Sequence, residues 1–511
     1  MVERDMDGVK KTLSGSKGNA EGAADIAGGE WSRRRFLKTT AAATAAVAGA
    51  AVMGSCNYVP SHVFRGEGPG GRIRVGQIGA GRIATGHDIP GVLTAGGDMP
   101  LADYVAVCDL DSKRAAQGKT FLATGMAKRK TAAPDVAVFT KYEELLASPD
   151  IDAVVISLPD HQHAQVCLAA IKAGKDIYMQ KPFTMTFEES KMLRDAIVKS
   201  GRTFQIGSQQ RSWTGGPVAG GTTVYRDQFR IACELVRNGR VGNLKEVEIG
   251  LPTDPTQADP REMPIPSNLD YDRWIGPTPM KYYTEDRVHS QSSIGSRPGW
   301  LRNEAYCLGM ITGWGAHHFD TAHWGMDMEL SGPLKAEGRG EFPPAERVWN
   351  VHGTYKIELQ YPKNIKMTVW DKLQNGIKFI GDEGWIFVTR EAGVTSSDPA
   401  VSTGLKPLDA SSPKLLEPLT DAQRKVKLPY SAEHHLNWLE AIKSGKRNNV
   451  APAPIAHCSN AACIVAWIAM KTGRPLTWDG AKGQFVNDAG ANSLLSRPER
   501  AGYGAIRASK A

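Results

Sequence analysis

Cysteine is scarce in this chain, with seven residues in 511 and no two of them forming a C-x-x-C pair. That spacing supports neither a zinc ribbon nor a disulfide framework. Six of the seven (Cys108, Cys167, Cys233, Cys307, Cys458, Cys463) are scattered and read as buried thiols. A chain this long buries enough core to need no such staple. Net charge is scarce too: 62 Lys+Arg against 54 Asp+Glu leave +8 on a 23% charged background. Nucleic acid is therefore excluded as the main partner, because phosphate binding calls for bases clustered on one face. The 41% apolar fraction excludes a wholly disordered or collagen-like chain. Length alone suggests about three units, or one export segment plus two domains.

Residues 1–30 have no apolar period and read as a flexible leader. Ser32-Arg-Arg-Arg-Phe-Leu-Lys38 then precedes an uncharged run from Thr39 to Ser55. The run is too short and too weakly apolar for a membrane span, which takes about 20 apolar residues. Paired arginines before a feebly hydrophobic run are the pattern of a twin-arginine export signal. The expectation is a periplasmic or otherwise exported protein, with the export machinery as a partner. The alternative is an Arg-rich helix start followed by a buried Ala-rich helix. Met53-Gly-Ser-Cys56 also resembles a lipoprotein cleavage box, which makes an acylated Cys56 a further expectation. These 56 residues hold eight bases and six acids, so the rest of the chain carries +6.

Arg72-Ile-Arg-Val-Gly-Gln-Ile-Gly79 reads as a strand running into Gly79-Ala-Gly81-Arg82-Ile83-Ala84, a G-x-G-x-x-A turn. Glycines are needed there because the backbone must approach a pyrophosphate seated on a helix N-terminus. A second strand, Tyr104–Cys108, ends in Asp109, whose carboxylate can accept both ribose hydroxyls of NAD and would repel a 2′-phosphate. Lys113 and Arg114 follow closely and keep NADP open. Ile151–Leu158 and Asp176–Met179 read as further strands, separated by a helix that Gly174 ends. Alternating elements predict a parallel sheet, with ligands at the carboxyl ends of its strands. Asp109, Leu158–His163 and Gln180-Lys181-Pro182 all fall on that edge.

On these residues the chain resembles the Gfo/Idh/MocA oxidoreductases, relatives of glucose–fructose oxidoreductase and inositol dehydrogenase. The resemblance runs from about Arg72 to Tyr503. It is carried by Gly79-x-Gly81, Pro159-Asp-His-x-His163, Gly174-Lys-Asp-Ile-Tyr-Met-Gln-Lys181-Pro182 and Gly315-Ala-His317-His-Phe-Asp320. It implies an α/β chain: an N-terminal Rossmann dinucleotide-binding domain, then an α+β domain with a large open, mostly antiparallel sheet. The expected division is a leader and signal over 1–56, a linker over 57–71, the Rossmann domain over 72–206, a substrate and oligomerisation domain over 207–480 and a tail over 481–511. The chain departs from the family at two places: Gln180 stands where Glu is usual, and Gly313 stands where an Asp precedes the histidine.

In the second half, Leu244–Gly250, Val351–Tyr361, Lys366–Trp370 and a hairpin over Gly376–Thr389 read as strands. Residues 252–303 have little periodicity, as expected of loops covering a site. His317, His318, Asp320 and His323 form the densest polar cluster. It reads as a metal site, as core histidines of a helix, or, by the resemblance, as the acid/base end of the active site. No H-E-x-x-H pattern is present, and no metal is expected.

The resemblance assigns His317 as general acid/base and Lys181 as the group that binds and polarises the reacting oxygen, with the two roles exchangeable. Cofactor contacts are expected from Gly79, Gly81, Arg82, Ile83, Asp109, Leu158, Pro159, His163 and Lys181. Arg211, Trp274, Tyr306 and His318 are the expected substrate contacts. The implied activity is hydride transfer between NAD (or NADP) and a carbinol carbon of a sugar, glycoside or cyclitol, in a dimer or tetramer. An exported enzyme of this kind would keep its cofactor bound and recycle it. Glycoside cleavage by oxidation, elimination and reduction is one alternative, and a non-catalytic carbohydrate-binding protein is the other.

Overall fold

The computed structural model describes residues 71–129, 134–218, 221–224, 227–256, 261–390 and 404–505. The leader, the arginine pair, Cys56 and nearly all of the expected linker lie outside the described residues.

Six strands, β1 (Ile73–Ile78), β2 (Ala102–Cys108), β3 (Ala137–Phe139), β4 (Ala153–Ile156), β5 (Asp176–Met179) and β6 (Phe204–Ile206), form a parallel sheet in the order β3-β2-β1-β4-β5-β6. Such a sheet is covered on both faces, so its strands carry near-continuous apolar side chains. Ala153–Ile156 is wholly buried. Chain direction across the sheet reverses between β1 and β4, which opens the crevice where doubly wound folds bind ligands. The covering helices have clear ends: Phe187–Ser200 starts in a capping box between Thr186 and Glu189 and stops at Gly201 in the left-handed region. Helix His434–Ser444 returns from far along the chain to bury Trp438, Leu439 and Ile442 against this domain. A division at residue 206 therefore leaves out part of the first domain's core.

The Gly-rich stretch after Trp213 forms a small hairpin, β7 (Thr214–Val218) with β8 (Gly221–Val224). The second domain holds β9 (Leu244–Gly250), β10 (Lys335–Gly340), β11 (Tyr355–Gln360), β12 (Lys366–Trp370), β13 (Gly376–Gly381), β14 (Gly384–Val388), β15 (Leu408–Ala410), β16 (Leu476–Asp479) and β17 (Gln484–Phe485). They form one sheet, β15-β14-β13-β9-β12-β11-β10-β16-β17. Among the described residues every pairing in it is antiparallel except β9 with β12. Alternation sets its two faces: in β11, Tyr355, Ile357 and Leu359 are buried while Lys356 and Glu358 point the other way. Helices Gln228–Arg237, Gly315–Met326 and Ala453–Thr472 share the apolar face. The last is long and apolar enough to cross a membrane, yet it is a buried core helix. Residues after 480, expected as a tail, instead add β17 and bury Phe485, Ala491 and Leu495 in this core.

Residues 261–309 are mostly irregular and tie the domains together at the end of β2. Asn268 Nδ2 donates to Asp111 Oδ1 (2.7 Å), Lys113 Nζ to Gln291 O (2.7 Å) and Arg114 Nη2 to Ser290 O (3.1 Å).

Candidate active site

A cavity of about 610 Å³ lies between the carboxyl edge of the parallel sheet and helix Gly315–Met326. Its floor is the turn after β1. Gly79 has φ +86°, and a Cβ there would sit 2.3 Å from Ser157 O, so the turn tolerates only glycine. Gly81 faces the cavity, where an added Cβ would come within 3.3 Å of Arg114 Nη1. Ala80 N–H donates to Asp109 Oδ2 (2.8 Å), which draws the carboxylate ending β2 against the turn. Arg82, Ile83, Leu158 and Pro159 complete this end. A side-chain-free turn entering a helix beside a strand-end carboxylate fits a dinucleotide. Lys113 and Arg114, the cations that keep NADP open, both donate to backbone carbonyls of the covering loop.

The opposite wall carries Lys181, His317 and Asp160. Lys181 directly follows Gln180 at the end of β5, and its Nζ donates to Gly313 O at 3.0 Å. The lysine thus reaches across to the residue that replaces the family aspartate. Beyond Gly313 there is room: an added Cβ would meet nothing nearer than Met310 Sδ, at 3.9 Å. His317 comes from helix Gly315–Met326, is buried, and lines the same cavity with its Nδ1 lacking a hydrogen-bond partner. Burial, helped by Arg390 and Lys181, pushes its pKa well below the ordinary histidine value, so the ring is neutral. Asp160 also lines the cavity. Burial raises its carboxyl and lowers the Lys181 ammonium, and each opposes the other's shift.

Behind Lys181, Gln180 Nε2 donates to Asp88 Oδ1 (2.7 Å), and Asp88 Oδ2 accepts from Ser157 Oγ (2.6 Å). His435 lies between Asp88 (3.3 Å) and Glu433 (3.0 Å). Against the cost of burial, these two carboxylates raise its pKa to about 9. A Glu at position 180 would set a second carboxylate directly against Asp88.

Four expected site residues do not face the cavity. Arg211 is buried in ion pairs with Asp320 (2.6 Å) and Glu329 (2.7 Å), stacked over Trp324. It is a structural cation, not a substrate contact. Asp320 is consequently engaged and does not replace the missing aspartate beside His317. His318 Nε2 donates to Asn375 Oδ1 (2.6 Å), on the side of the helix away from the site. Tyr306 is core, with its ring 4.8 Å from His161 and 4.9 Å from Trp274. Of the substrate candidates only Trp274 lines the cavity. His163 is one layer back, its two ring nitrogens 2.7 Å from Pro182 O and 2.9 Å from Leu158 O, where it fastens the loop that carries Lys181. His323 bonds Tyr361 Oη (2.8 Å), so His318 and His323 turn to separate partners while His317 lines the cavity. Conversely, Asp160, His87, Arg297, Trp314 and Arg390 line the cavity without having been singled out. Asp160 was visible within the Pro159-Asp-His motif, whereas Arg297 and Arg390 carry no local signal.

Two family models match the chain: the oxidoreductase family NAD-binding Rossmann fold over residues 73–208, and the oxidoreductase family C-terminal alpha/beta domain over residues 256–394 and 406–505. Together they cover well over half of it. An uncharacterized oxidoreductase of Schizosaccharomyces pombe is 28% identical over 235 residues, 46% of this chain and 49% of that protein. An inositol 2-dehydrogenase of Agrobacterium fabrum is 34% identical over 140 residues, 27% of this chain and 38% of that one. The chain thus spans half or less of the length of these curated relatives. The crystal structure of the WlbA dehydrogenase from Bordetella pertussis, in complex with NADH and UDP-GlcNAcA, shares the fold. Its TM-score is 0.53 at 14% identity, over 80% of this chain and 99% of that one. By its matched domains, its strand order and its glycine turn, the chain belongs to the Gfo/Idh/MocA oxidoreductase family, with an NAD-binding Rossmann domain and a C-terminal α/β domain.

Proposed function

We propose that this protein transfers a hydride between NAD and a carbinol carbon of a sugar, glycoside or cyclitol. One observation carries the reading: Lys181 and His317, from different domains, line the same cavity as the Gly79–Ile83 turn and Asp109. Bound NAD supplies the hydride acceptor or donor at its nicotinamide. Gly79, Gly81 and Arg82 would hold its pyrophosphate and Asp109 its adenosine ribose, and that carboxylate favours NAD over NADP. Oxidising a carbinol also requires removing its hydroxyl proton. His317 lines the cavity and is neutral, so it is in the form that accepts this proton. Lys181, held at the same wall, donates to the substrate oxygen in place of the Gly313 carbonyl and stabilises developing negative charge. Asp160 keeps that ammonium protonated against burial.

The reading extends to an exported enzyme whose cofactor stays bound, supported by the arginine pair at residues 33–35 and by the loop hydrogen-bonded across the end of β2. A retained cofactor makes each cycle redox-neutral, either by exchange between two substrates or by oxidation, elimination and reduction of one glycoside. The test is dinucleotide content. Protein purified from the cell envelope, denatured and assayed, is expected to release about one NAD per chain, as a single site requires. Dinucleotide-free protein that depends on added NAD would contradict retention. Aglycone release from a glycoside assigns the cleavage cycle, and a reduced-nicotinamide transient without release assigns exchange.

A further inference from the structure

We infer that Asp111 clasps the covering loop over the adenosine half of the cofactor site, so that NAD enters and leaves when this clasp opens. The inference rests on the oxidoreductase reading and names what controls exchange of its cofactor.

Asp111 lies just beyond β2 and caps helix Ser112–Ala127, its Oδ1 accepting from the backbone N–H of Lys113 (3.0 Å) and of Arg114 (3.3 Å). One carboxylate oxygen is enough for that local task. The other, Oδ2, accepts from Gln291 Nε2 (2.9 Å) and lies 3.0 Å from His289 Nε2, while Asn268 Nδ2 also donates to Oδ1. These three side chains all come from the covering loop, 157 to 180 residues further along the chain. Against the opposing effect of burial, their hydrogen bonds hold the Asp111 carboxyl well below the usual carboxylate range. Backbone bonds add to the hold: Ser112 N–H donates to Asn268 O (2.8 Å), and Asp270 N–H to Leu110 O (3.0 Å).

The clasped segment roofs the dinucleotide end of the cavity. Leu110 and Arg114 line that end from the first domain beside Asp109, and His289 and Ser296 line it from the loop. A dinucleotide whose ribose rests on Asp109 therefore lies beneath residues that Asp111 holds in place. The loop also has a shape of its own, with Leu269, Tyr271, Trp274, Ile275, Tyr283 and Val288 packed in one apolar cluster. What fastens this unit to Asp111 is hydrogen bonding, which water replaces at modest net cost. A preformed roof on a polar fastening is suited to lifting as a whole. One buried carboxylate thereby sets how fast the cofactor is exchanged.

The test compares NAD release and uptake in wild type and Asp111→Ser. Release is followed by exchanging bound NAD for labelled NAD, and uptake by rapid mixing of emptied protein with NAD. Serine keeps the helix cap, but its single oxygen is too short to reach the loop. Both rates are expected to rise about 10- to 100-fold, with Kd changed less than either, because an opened roof eases passage in both directions. His289→Ala combined with Gln291→Ala attacks the clasp from the loop side and should give the same acceleration. Adding Asp111→Ser to that pair should change little further. Unchanged rates would overturn the inference. So would faster release without faster uptake, which marks a lost contact and not a gate. Should Asp111→Ser fail to fold, the loop-side pair decides by the same two rates. Wild type that binds no NAD at all overturns the oxidoreductase reading and this inference with it. Wild type that purifies empty yet binds added NAD overturns cofactor retention alone, and the rates still decide the clasp.

Discussion

Lys181 and His317, which line the cavity, and Arg211, Asp88 and His435, sealed behind it, are built on opposite terms. Behind the wall, Arg211 has two carboxylates, His435 has two, and Asp88 accepts from Gln180, Ser157 and His435. On the wall, His317 Nδ1 and Arg82 Nε lack hydrogen-bond partners, and Lys181 is held by a single backbone carbonyl. Arg211, His435 and Asp88 are thus met by partners within the protein, and they hold it together. The wall groups keep capacity in reserve, as a site for a polar ligand must. Substitutions in the two regions should therefore separate cleanly into loss of turnover and loss of stability.

The largest expected effect is at the wall. Lys181→Ala should lower turnover by about 10³-fold while thermal unfolding stays close to wild type. A variant that melts early but turns over normally per folded molecule would reverse the comparison at this residue. Behind the wall, Arg211→Met strands Asp320 and Glu329 and should cost about 3–5 kcal/mol of stability, read by denaturant titration. Its kcat per folded chain should match wild type, and a selective kcat loss would return Arg211 to the active site.

Gln180→Glu sharpens the boundary, because it sets a carboxylate against Asp88 where an amide now donates at 2.7 Å. It should destabilise by about 1–3 kcal/mol, with the penalty easing as pH falls and one carboxyl takes a proton. A stability equal to wild type at neutral pH would mean that His435 alone absorbs the added charge. The mildest effect is a pH slope. His435 is raised from 6.5 to about 9 in the folded protein, so its stabilisation is complete below pH 6.5 and lost as pH rises through about 9. One proton gives a slope of up to about 1.4 kcal/mol per pH unit across that window. His435→Gln should flatten it, and an unchanged slope would remove the buried cation from the account.

The same distinction explains what was legible before the structure. The glycine turn, the β1, β2, β4 and β5 strands and the β13–β14 hairpin depend on turn chemistry and apolar runs within a few residues, and they form where expected. Lys181 and His317 were legible because they sit at the end of one such element and within another. Arg211, Tyr306 and His318 were not, because whether a polar residue faces a cavity or a partner depends on distant neighbours. Arg211 meets Asp320 and Glu329 across more than a hundred residues, and His318 meets Asn375 from another element. The contribution of helix His434–Ser444 to the first domain was hidden for the same reason: no local pattern tells a helix which sheet it will cover.

The most direct measurement mixes dinucleotide-loaded protein with saturating sugar and follows absorbance of the reduced nicotinamide, for wild type and for Lys181→Ala loaded to the same level. A rise in wild type and none in the variant is the predicted result. Equal rises in both would contradict the claim that Lys181 and His317 form the catalytic wall of this cavity.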